Sequence, residues 1–248
     1  MPFALIGFFL GIRDYVYEQN LLQQPYCVFG GILKPDFPSI STLAHQHISK
    51  FVFVILCMIF ARSAAMAFNR WLDKNFDAKN PRTAIREIPA GIIKSNSALW
   101  FVIVCCLLFI VCCYFINTIC FYLSPVALFV VLFYSYTKRF TALCHLVLGV
   151  GLSLAPIGSY LAVTGQFALL PILFSFTVLF WVSGFDIIYA LQDEEFDKTN
   201  QLHSIPAALG KSKALQVSNL LHILSAACVI AAGVYGHFGT WYWIGAAL

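Results

Sequence analysis

The sequence predicts an all-α fold, a multi-span bundle of transmembrane helices. Hydrophobic residues make up 60% of the 248 positions and charged residues only 10%. Soluble domains carry about 25% charged residues, so an apolar surplus of this size has no interior to cover it. Six apolar segments are also long enough to cross a bilayer as helices, which takes roughly 20 residues. These observations exclude a soluble enzyme and predict that the lipid bilayer surrounds the chain.

The six segments define the order of the predicted helices along the chain. They cover about 48–68, 95–117, 119–136, 142–163, 167–189 and 213–235. Two shorter apolar segments, about 2–12 and 238–248, are each only half a span. We therefore expect a partial first helix and an absent last helix within one transmembrane domain over residues 1–248. Residues 13–47 contain three prolines, which predicts a long loop.

Charge indicates which loops share a face of the membrane. The loops at about 69–94, 137–141 and 189–213 alternate with short, nearly uncharged turns, and they hold eleven of the fifteen Lys and Arg residues. The positive-inside rule places these loops in the cytoplasm, and we expect a bacterial inner membrane. Because the net charge of +4 is concentrated beside the membrane, it does not predict a nucleic-acid partner.

Two acidic motifs each follow an apolar span on this charged face. Asn69, Asp73 and Asp77 are spaced i, i+4 and i+8, which on a helix aligns them on one side. Asp193 and Asp197 repeat the i, i+4 spacing after the 167–189 span. One such pair at a helix end is usually a solvated surface. Two pairs on one face repel each other unless a cation lies between them. Together they therefore indicate a site for a divalent metal and phosphate.

A hard divalent cation with oxygen ligands is the natural counter-charge for these motifs. Mg²⁺ typically takes one or two carboxylates together with waters and substrate phosphates, so the pair predicts a magnesium–diphosphate site. Basic side chains in the same layer can neutralise phosphate oxygens. They are Arg82, Arg86, Lys138 and Arg139.

Three segments resemble motifs of the UbiA superfamily of membrane prenyltransferases. Asn69 to Asp77, continuing through Asn80-Pro81-Arg82 and Arg86-Glu87-Ile88-Pro89, resembles the first aspartate-rich motif of that family. Gly184 to Asp197 resembles the second motif, and Tyr134 to Lys138 looks like a Tyr-x-x-x-Lys element. Their order and spacing agree with the family over about 50–210.

The resemblance implies a fold, a cofactor and roles for particular residues. The fold would have about nine helices around a central cavity, and Mg²⁺ ions held by both motifs would bridge a prenyl diphosphate. Asp73, Asp193 and Lys138 are then the expected catalytic residues. The expected metal ligands are Asn69, Asp73, Asp77, Asp193 and Asp197. The expected binders of diphosphate are Asn69, Arg82, Arg86 and Lys138, with Tyr134 shaping that site. The chain departs from the family at both ends, where the family's helices help to close the cavity.

The implied activity is transfer of a polyprenyl group from polyprenyl diphosphate to an aromatic acid in ubiquinone or menaquinone biosynthesis. The acceptor stays open between 4-hydroxybenzoate and a dihydroxynaphthoate. Residues 61–69 and 202–206 look more like a menaquinone-pathway group, whose members are often described as 4-hydroxybenzoate polyprenyltransferase-like.

Arg62 and Asp186 lie inside predicted spans, each about two helical turns before a motif. A charge at mid-membrane costs at least about 2.5–3.5 kcal/mol, so it usually has a partner or a function. In one interpretation Arg62 binds the acceptor carboxylate, and Asp186 orients the ring hydroxyl or takes a proton. In the other, the two form a structural pair between helices. The six histidines show no triad or metal spacing and are predicted to be interfacial or core residues.

Two other classes of membrane protein also use acidic side chains. A transporter with paired acidic sites would place them near the midplane, often on broken helices. Here the acids lie mostly at one face, and the sequence does not predict broken helices. A membrane phosphotransferase would carry a different aspartate-rich pattern, which this sequence lacks.

Overall fold

A computed structural model describes the backbone of residues 2–22 and 40–247, and the side chains of residues 2–18 and 47–247. Within those residues the chain is helical and contains no strand. The α-helices are α1 Pro2–Leu22, α2 Ile40–Leu72, α3 Lys74–Asp77, α4 Ser95–Ile116, α5 Thr118–Thr137, α6 Cys144–Thr164, α7 Leu169–Ala190, α8 Glu194–Thr199, α9 Ile205–Leu209, α10 Lys211–Tyr235 and α11 Thr240–Ala247. A 3₁₀ turn, Leu191–Asp193, joins α7 to α8.

Six helices of the described chain are long and apolar enough to cross a membrane, which confirms the predicted number. They are α2, α4, α5, α6, α7 with its extension, and α10. Within their apolar windows only 17–44% of residues are buried inside the protein. Large apolar side chains such as Phe101, Val111 and Phe129 are instead exposed on the outside of the bundle. This surface would be unstable in water, so the chain is a multi-pass integral membrane protein.

The prediction of a loop over residues 13–47 is wrong at both of its ends. Helix α1 continues to Leu22, and α2 already begins at Ile40. Loss of apolar character at Arg13 and Asp14 ends the apolar stretch, but residues 13–22 contain no proline or glycine to end the helix. The remaining part of this prediction, residues 23–39, lies outside the described residues.

Helix α1 packs on the second half of α6 through two glycines. A Cβ atom at Gly7 would lie 1.9 Å from the carbonyl oxygen of Pro156, and one at Gly11 would lie 2.9 Å from Cβ of Val163. The Gly-x-x-x-Gly spacing lets two helix backbones approach closely in a membrane. Since α6 ends at Thr164, the apolar part of α1 lies along only half of that helix. The apolar half-span predicted for residues 2–12 is the first half of a longer helix, α1, of 21 residues.

Small residues also hold α7 against its neighbours. A Cβ atom at Gly149 of α6 would lie 2.2 Å from the Ser183 hydroxyl of α7. On the other side, Ser218 of α10 donates a hydrogen bond to the carbonyl oxygen of Gly184 at 2.8 Å. Close contact on both sides fixes the rotation of α7 and therefore the direction in which Asp186 and Tyr189 point.

The helical path changes at the first aspartate of each motif. Asp73 separates α2 from α3 with φ −92° and ψ 7°, and Asp193 precedes α8 with φ −110° and ψ 10°. Both conformations lie in the sparsely populated bridge region, which is common at functional sites. The amides of Asp73 and Asp77 still bond four residues back, at 2.9 and 2.8 Å. The helical path is thus interrupted at each motif, beyond the predicted spans, and the i, i+4 spacing survives the break.

Candidate active site

The three charged loops meet at one end of the bundle. The Asn80 amide of the first loop donates to Asp193 of the third at 3.1 Å. Arg139 of the second loop lies 3.2 Å from Asp73 of the first, measured from Nη2 to Oδ1. The backbone N–H of His203 donates to the carbonyl oxygen of Lys138 at 2.7 Å. These contacts confirm that the three loops share a face.

The first motif holds two carboxylates in different surroundings. Asp77 is buried, and both of its oxygens accept from Nη1 of Arg86, at 2.8 and 2.9 Å. Asp73 is only half-buried. It accepts from Arg139 at 3.2 Å and from the Asn69 amide at 3.2 Å. Burial raises the pKa of Asp73, and the hydrogen bond from Arg139 opposes that shift. Burial thus weakens the preference of this carboxylate for its ionised form.

In the second motif, Asp193 is held by residues that follow the first. Arg82 donates Nε to Oδ1 at 3.1 Å, and its Nη2 pairs with Oδ2. Nη1 of Arg82 donates to the Tyr189 hydroxyl at 2.9 Å. Hydrogen bonding to Asp193 raises the pKa of Arg82, so this guanidinium stays charged. Arg82 therefore joins the first loop to the end of α7.

Asp197 is fully buried and has partners on both carboxylate oxygens. Nζ of Lys138 lies 2.7 Å from Oδ1, and the Ser204 hydroxyl donates to Oδ2 at 2.9 Å. Without those two partners an ionised carboxylate at this depth would be very costly. The contact with Lys138 is an ion pair without hydrogen-bond geometry, so Oδ1 keeps lone pairs for a further partner while Asp197 positions Lys138.

Each of the four motif aspartates thus pairs with one cation. The pairs are Arg139–Asp73, Arg86–Asp77, Arg82–Asp193 and Lys138–Asp197. Within the described parts of the chain, no three acidic, histidine or cysteine side chains surround one point as a protein cage for a metal would. Oxygen donors arriving in ones and twos from two motifs suit Mg²⁺, which fills its shell with waters and phosphate oxygens.

An apolar cavity of about 460 Å³, which is a groove largely open to the outside of the bundle, lies between α1, α6 and α7. Phe3, Leu148 and Trp181 contribute to its walls, and Asp186 and Tyr189 also line it. Tyr189 bonds to Arg82 through its hydroxyl, so it borders both the cavity and the layer of paired charges. This arrangement suits an amphiphile with a charged head at the loops and an apolar chain between the helices.

Asp186 and Arg62 do not pair with each other, so the interpretation as a structural pair is wrong. Oδ2 of Asp186 lies 2.6 Å from Nδ1 of His145. Arg62 is exposed and makes no hydrogen bond or ion pair with any residue whose side chain the structure describes. The Tyr134 side chain is close enough to interact electrostatically with Arg62, Asp73 and Asp186. These groups therefore belong to one region below the loops.

His145 is the residue of this region that no sequence motif indicates. The prediction of an interfacial or core histidine agrees with its burial, since it is 2% exposed, but that prediction does not include the contact with Asp186. The two residues are 41 positions apart on different helices, and no spacing rule links them. Only the packing of α6 against α7 brings them together.

A sequence model described as the UbiA prenyltransferase family matches residues 39–248. The chain belongs to the UbiA prenyltransferase family. A relative named 4-hydroxybenzoate octaprenyltransferase, from Francisella tularensis subsp. novicida (strain U112), is 28% identical over 219 residues, covering 88% of this chain and 77% of that protein.

Solved structures of UbiA homologues share the fold. The apo structure of a UbiA homologue from Aeropyrum pernix K1 is 28% identical, with a TM-score of 0.79 over 99% of this chain and 82% of that one. A UbiA homologue from Archaeoglobus fulgidus bound to DMAPP and Mg²⁺ is 17% identical, with a TM-score of 0.65 over 99% of this chain and 80% of that one. The predicted helical fold and the class of enzyme, a membrane prenyltransferase, are confirmed.

Proposed function

We propose that this UbiA-family chain, as one domain over residues 1–248, transfers a polyprenyl group from polyprenyl diphosphate to the ring of an aromatic acid, using Mg²⁺. The observation that carries the proposal is the direct connection between the charged layer and the apolar cavity. Tyr189 borders the cavity and bonds to Arg82, which binds Asp193. A diphosphate in that layer would have its chain at the mouth of the cavity.

The donor set of the two motifs suits magnesium. The proposed ligands are Asn69, Asp73 and Asp77 from the first motif, and Asp193 and Asp197 from the second. Bound there with the diphosphate, Mg²⁺ would neutralise oxygen charge and make the diphosphate a better leaving group. The Archaeoglobus fulgidus homologue bound to DMAPP and Mg²⁺ supports this cofactor.

The basic residues supply the remaining counter-charge. Three of these cations now pair with carboxylates, namely Arg82, Arg86 and Lys138. In the complex they would donate some of their hydrogen bonds to diphosphate oxygens instead. Such preorganised donors stabilise the negative charge that develops as the allylic C–O bond breaks. Asp73, Asp193 and Lys138 are the residues that we propose to be catalytic, while Tyr134 shapes the site beneath them.

The acceptor would lie one step deeper, between the charged layer and the apolar cavity. Arg62 is an exposed cation in that region and would bind the acceptor carboxylate. The Asp186 carboxylate would accept a hydrogen bond from the ring hydroxyl, which raises the electron density of the ring. The ring carbon bonds to the allylic carbon, diphosphate departs, and the proton of that ring carbon is lost to a carboxylate or to water.

Two acceptors follow from different observations. The name of the Francisella relative supports 4-hydroxybenzoate. The likeness of residues 61–69 and 202–206 to a menaquinone-pathway group supports a dihydroxynaphthoate. We further propose that the enzyme lies in a bacterial inner membrane with its charged loops in the cytoplasm, because those loops carry eleven of the fifteen basic residues.

The test is prenyl transfer in membranes that express the chain. Labelled polyprenyl diphosphate and Mg²⁺ are supplied with each acceptor in parallel, beside the double variant Asp73→Ala/Asp193→Ala. Magnesium-dependent product that the double variant does not form is the expected result, and the preferred acceptor assigns the pathway. Product formation that persists in the double variant or without Mg²⁺ would refute the proposed site.

A further inference from the structure

His145 occupies a buried position between the acceptor region and the second aspartate motif. It lies in the first turn of α6, its ring is 2% exposed, and both of its nitrogens have partners. Nδ1 lies 2.6 Å from Oδ2 of Asp186, and Nε2 faces the backbone N–H of Ile205 at 3.3 Å. A backbone N–H can only donate, so Nε2 must carry the lone pair and Nδ1 must carry the proton.

In the contact with Asp186, His145 is therefore the hydrogen-bond donor. The imidazole donates its Nδ1–H to Oδ2 of the Asp186 carboxylate and so holds that oxygen in place. The next residue after Ser204, Ile205, is well fixed, because the Ser204 hydroxyl bonds to buried Asp197 at 2.9 Å. His145 is therefore held from the side of the second motif and holds Asp186 in turn.

The other oxygen of Asp186 is available to a ligand. No hydrogen bond from the described residues reaches Oδ1, and the side chain of Asp186 is 32% exposed. Among the described residues that line the apolar cavity, Asp186 is the one charged side chain. Tyr189, one helical turn further along α7, reaches the charged layer through Arg82. Oδ1 therefore lies about one turn below the place where the diphosphate would bind.

We infer that His145 is a positioning residue that fixes Asp186 to recognise the hydroxyl group of the acceptor ring. This inference rests on the proposed function and adds to it a determinant of acceptor specificity. With Oδ2 held by His145, Oδ1 is fixed toward the cavity as a hydrogen-bond acceptor. A phenolic hydroxyl donates a hydrogen bond to that carboxylate. A methyl ether has no hydrogen to donate, so it leaves a partly buried carboxylate without a partner. Discrimination of this kind is large where a buried polar group is left unpaired.

The experiment compares His145→Leu with His145→Asn, whose amide can still donate from a position near that of Nδ1. We expect His145→Leu to lower kcat/KM for the acceptor roughly 10-fold to 100-fold, the range seen when an outer partner of a site residue is removed. The KM for polyprenyl diphosphate should stay unchanged, and His145→Asn should recover part of the loss. His47→Leu, which removes a buried histidine of α2 that packs on Tyr15 of α1, is the matched control.

Two further measurements separate positioning from a structural role. In an Asp186→Asn background, His145→Leu should add no further loss, because two residues acting through one contact are not additive. Calorimetric binding of the acceptor and of its methyl ether, without a prenyl donor, should show a preference for the phenol in the wild type that His145→Leu loses. Both results would support the inference.

Other outcomes overturn it. If the wild type turns over but His145→Leu keeps its kcat/KM for the acceptor and its preference for the phenol, the inference fails and the proposed function stands. Equal losses for acceptor and donor in both His145 variants would show a structural role only. A wild type that forms no product with any aromatic acceptor would overturn both proposals together.

Discussion

Replacing Lys138 by methionine should separate its contribution to stability from its contribution to activity. The Asp197 carboxylate is fully buried, and Lys138 supplies its only cation among the described residues, at 2.7 Å. Removing one partner of a buried ion pair costs about 3–5 kcal/mol, because the other charge stays buried without compensation. The side chain of Lys138 is 34% exposed, so water screens the pair and the lower end, about 3 kcal/mol, is expected.

The assay is thermal unfolding in detergent together with magnesium-dependent prenyl transfer. For a chain of 150–250 residues each kcal/mol lowers the Tm by about 2–4 °C, so Lys138→Met should melt about 6–12 °C below the wild type. In the double variant Lys138→Met/Asp197→Asn the buried charge is gone, and the Ser204 hydroxyl can still donate to the new amide. The double variant should therefore recover most of the stability but none of the activity.

Two results would refute this reasoning. If Lys138→Met melts at the temperature of the wild type, the ion pair does not neutralise Asp197 in the folded protein. If the double variant is no more stable than Lys138→Met, the loss comes from packing of the lysine stem and not from an uncompensated charge. Recovered activity in the double variant would show that Lys138 does not bind diphosphate.

Three more predictions follow from the geometry. Gly7→Val should force α1 away from α6 and lower the free energy of unfolding by about 1–3 kcal/mol. Thermal unfolding checks this beside the control Gly158→Ala, where an added Cβ meets no atom within 4 Å. Equal Tm values for the two variants would contradict the prediction. Asp73→Asn should abolish magnesium-dependent turnover yet keep the wild-type Tm, since burial already raises the pKa of this carboxyl; a large fall in Tm would show a structural role instead. Arg82→Lys should raise the KM for polyprenyl diphosphate about tenfold, because an ammonium cannot reproduce the fork that binds both Asp193 and the tyrosine hydroxyl; steady-state kinetics with an unchanged KM would exclude Arg82 from that site.

The transmembrane helices were predictable because apolarity over about 20 residues is a local property of the chain. The same holds for the charged face, since the alternation of loops places 69–94, 137–141 and 189–213 together without any knowledge of packing. The loop prediction failed where a segment is helical without being apolar. Residues 13–22 are too polar for a membrane span but contain nothing that ends a helix, so α1 continues to Leu22.

The sequence by itself determined the six spans, the charged face and the five oxygen-bearing residues of the two motifs, all of which depend on spacing within a short stretch. Only the tertiary structure decided the partners. Arg82 reaches Asp193 across 111 positions, and His145 reaches Asp186 across 41. Such contacts depend on the rotation of α7, which close packing at Gly149 and Gly184 fixes. The rotation of a helix about its axis depends on many weak contacts between distant segments, so no local pattern in the sequence predicts it.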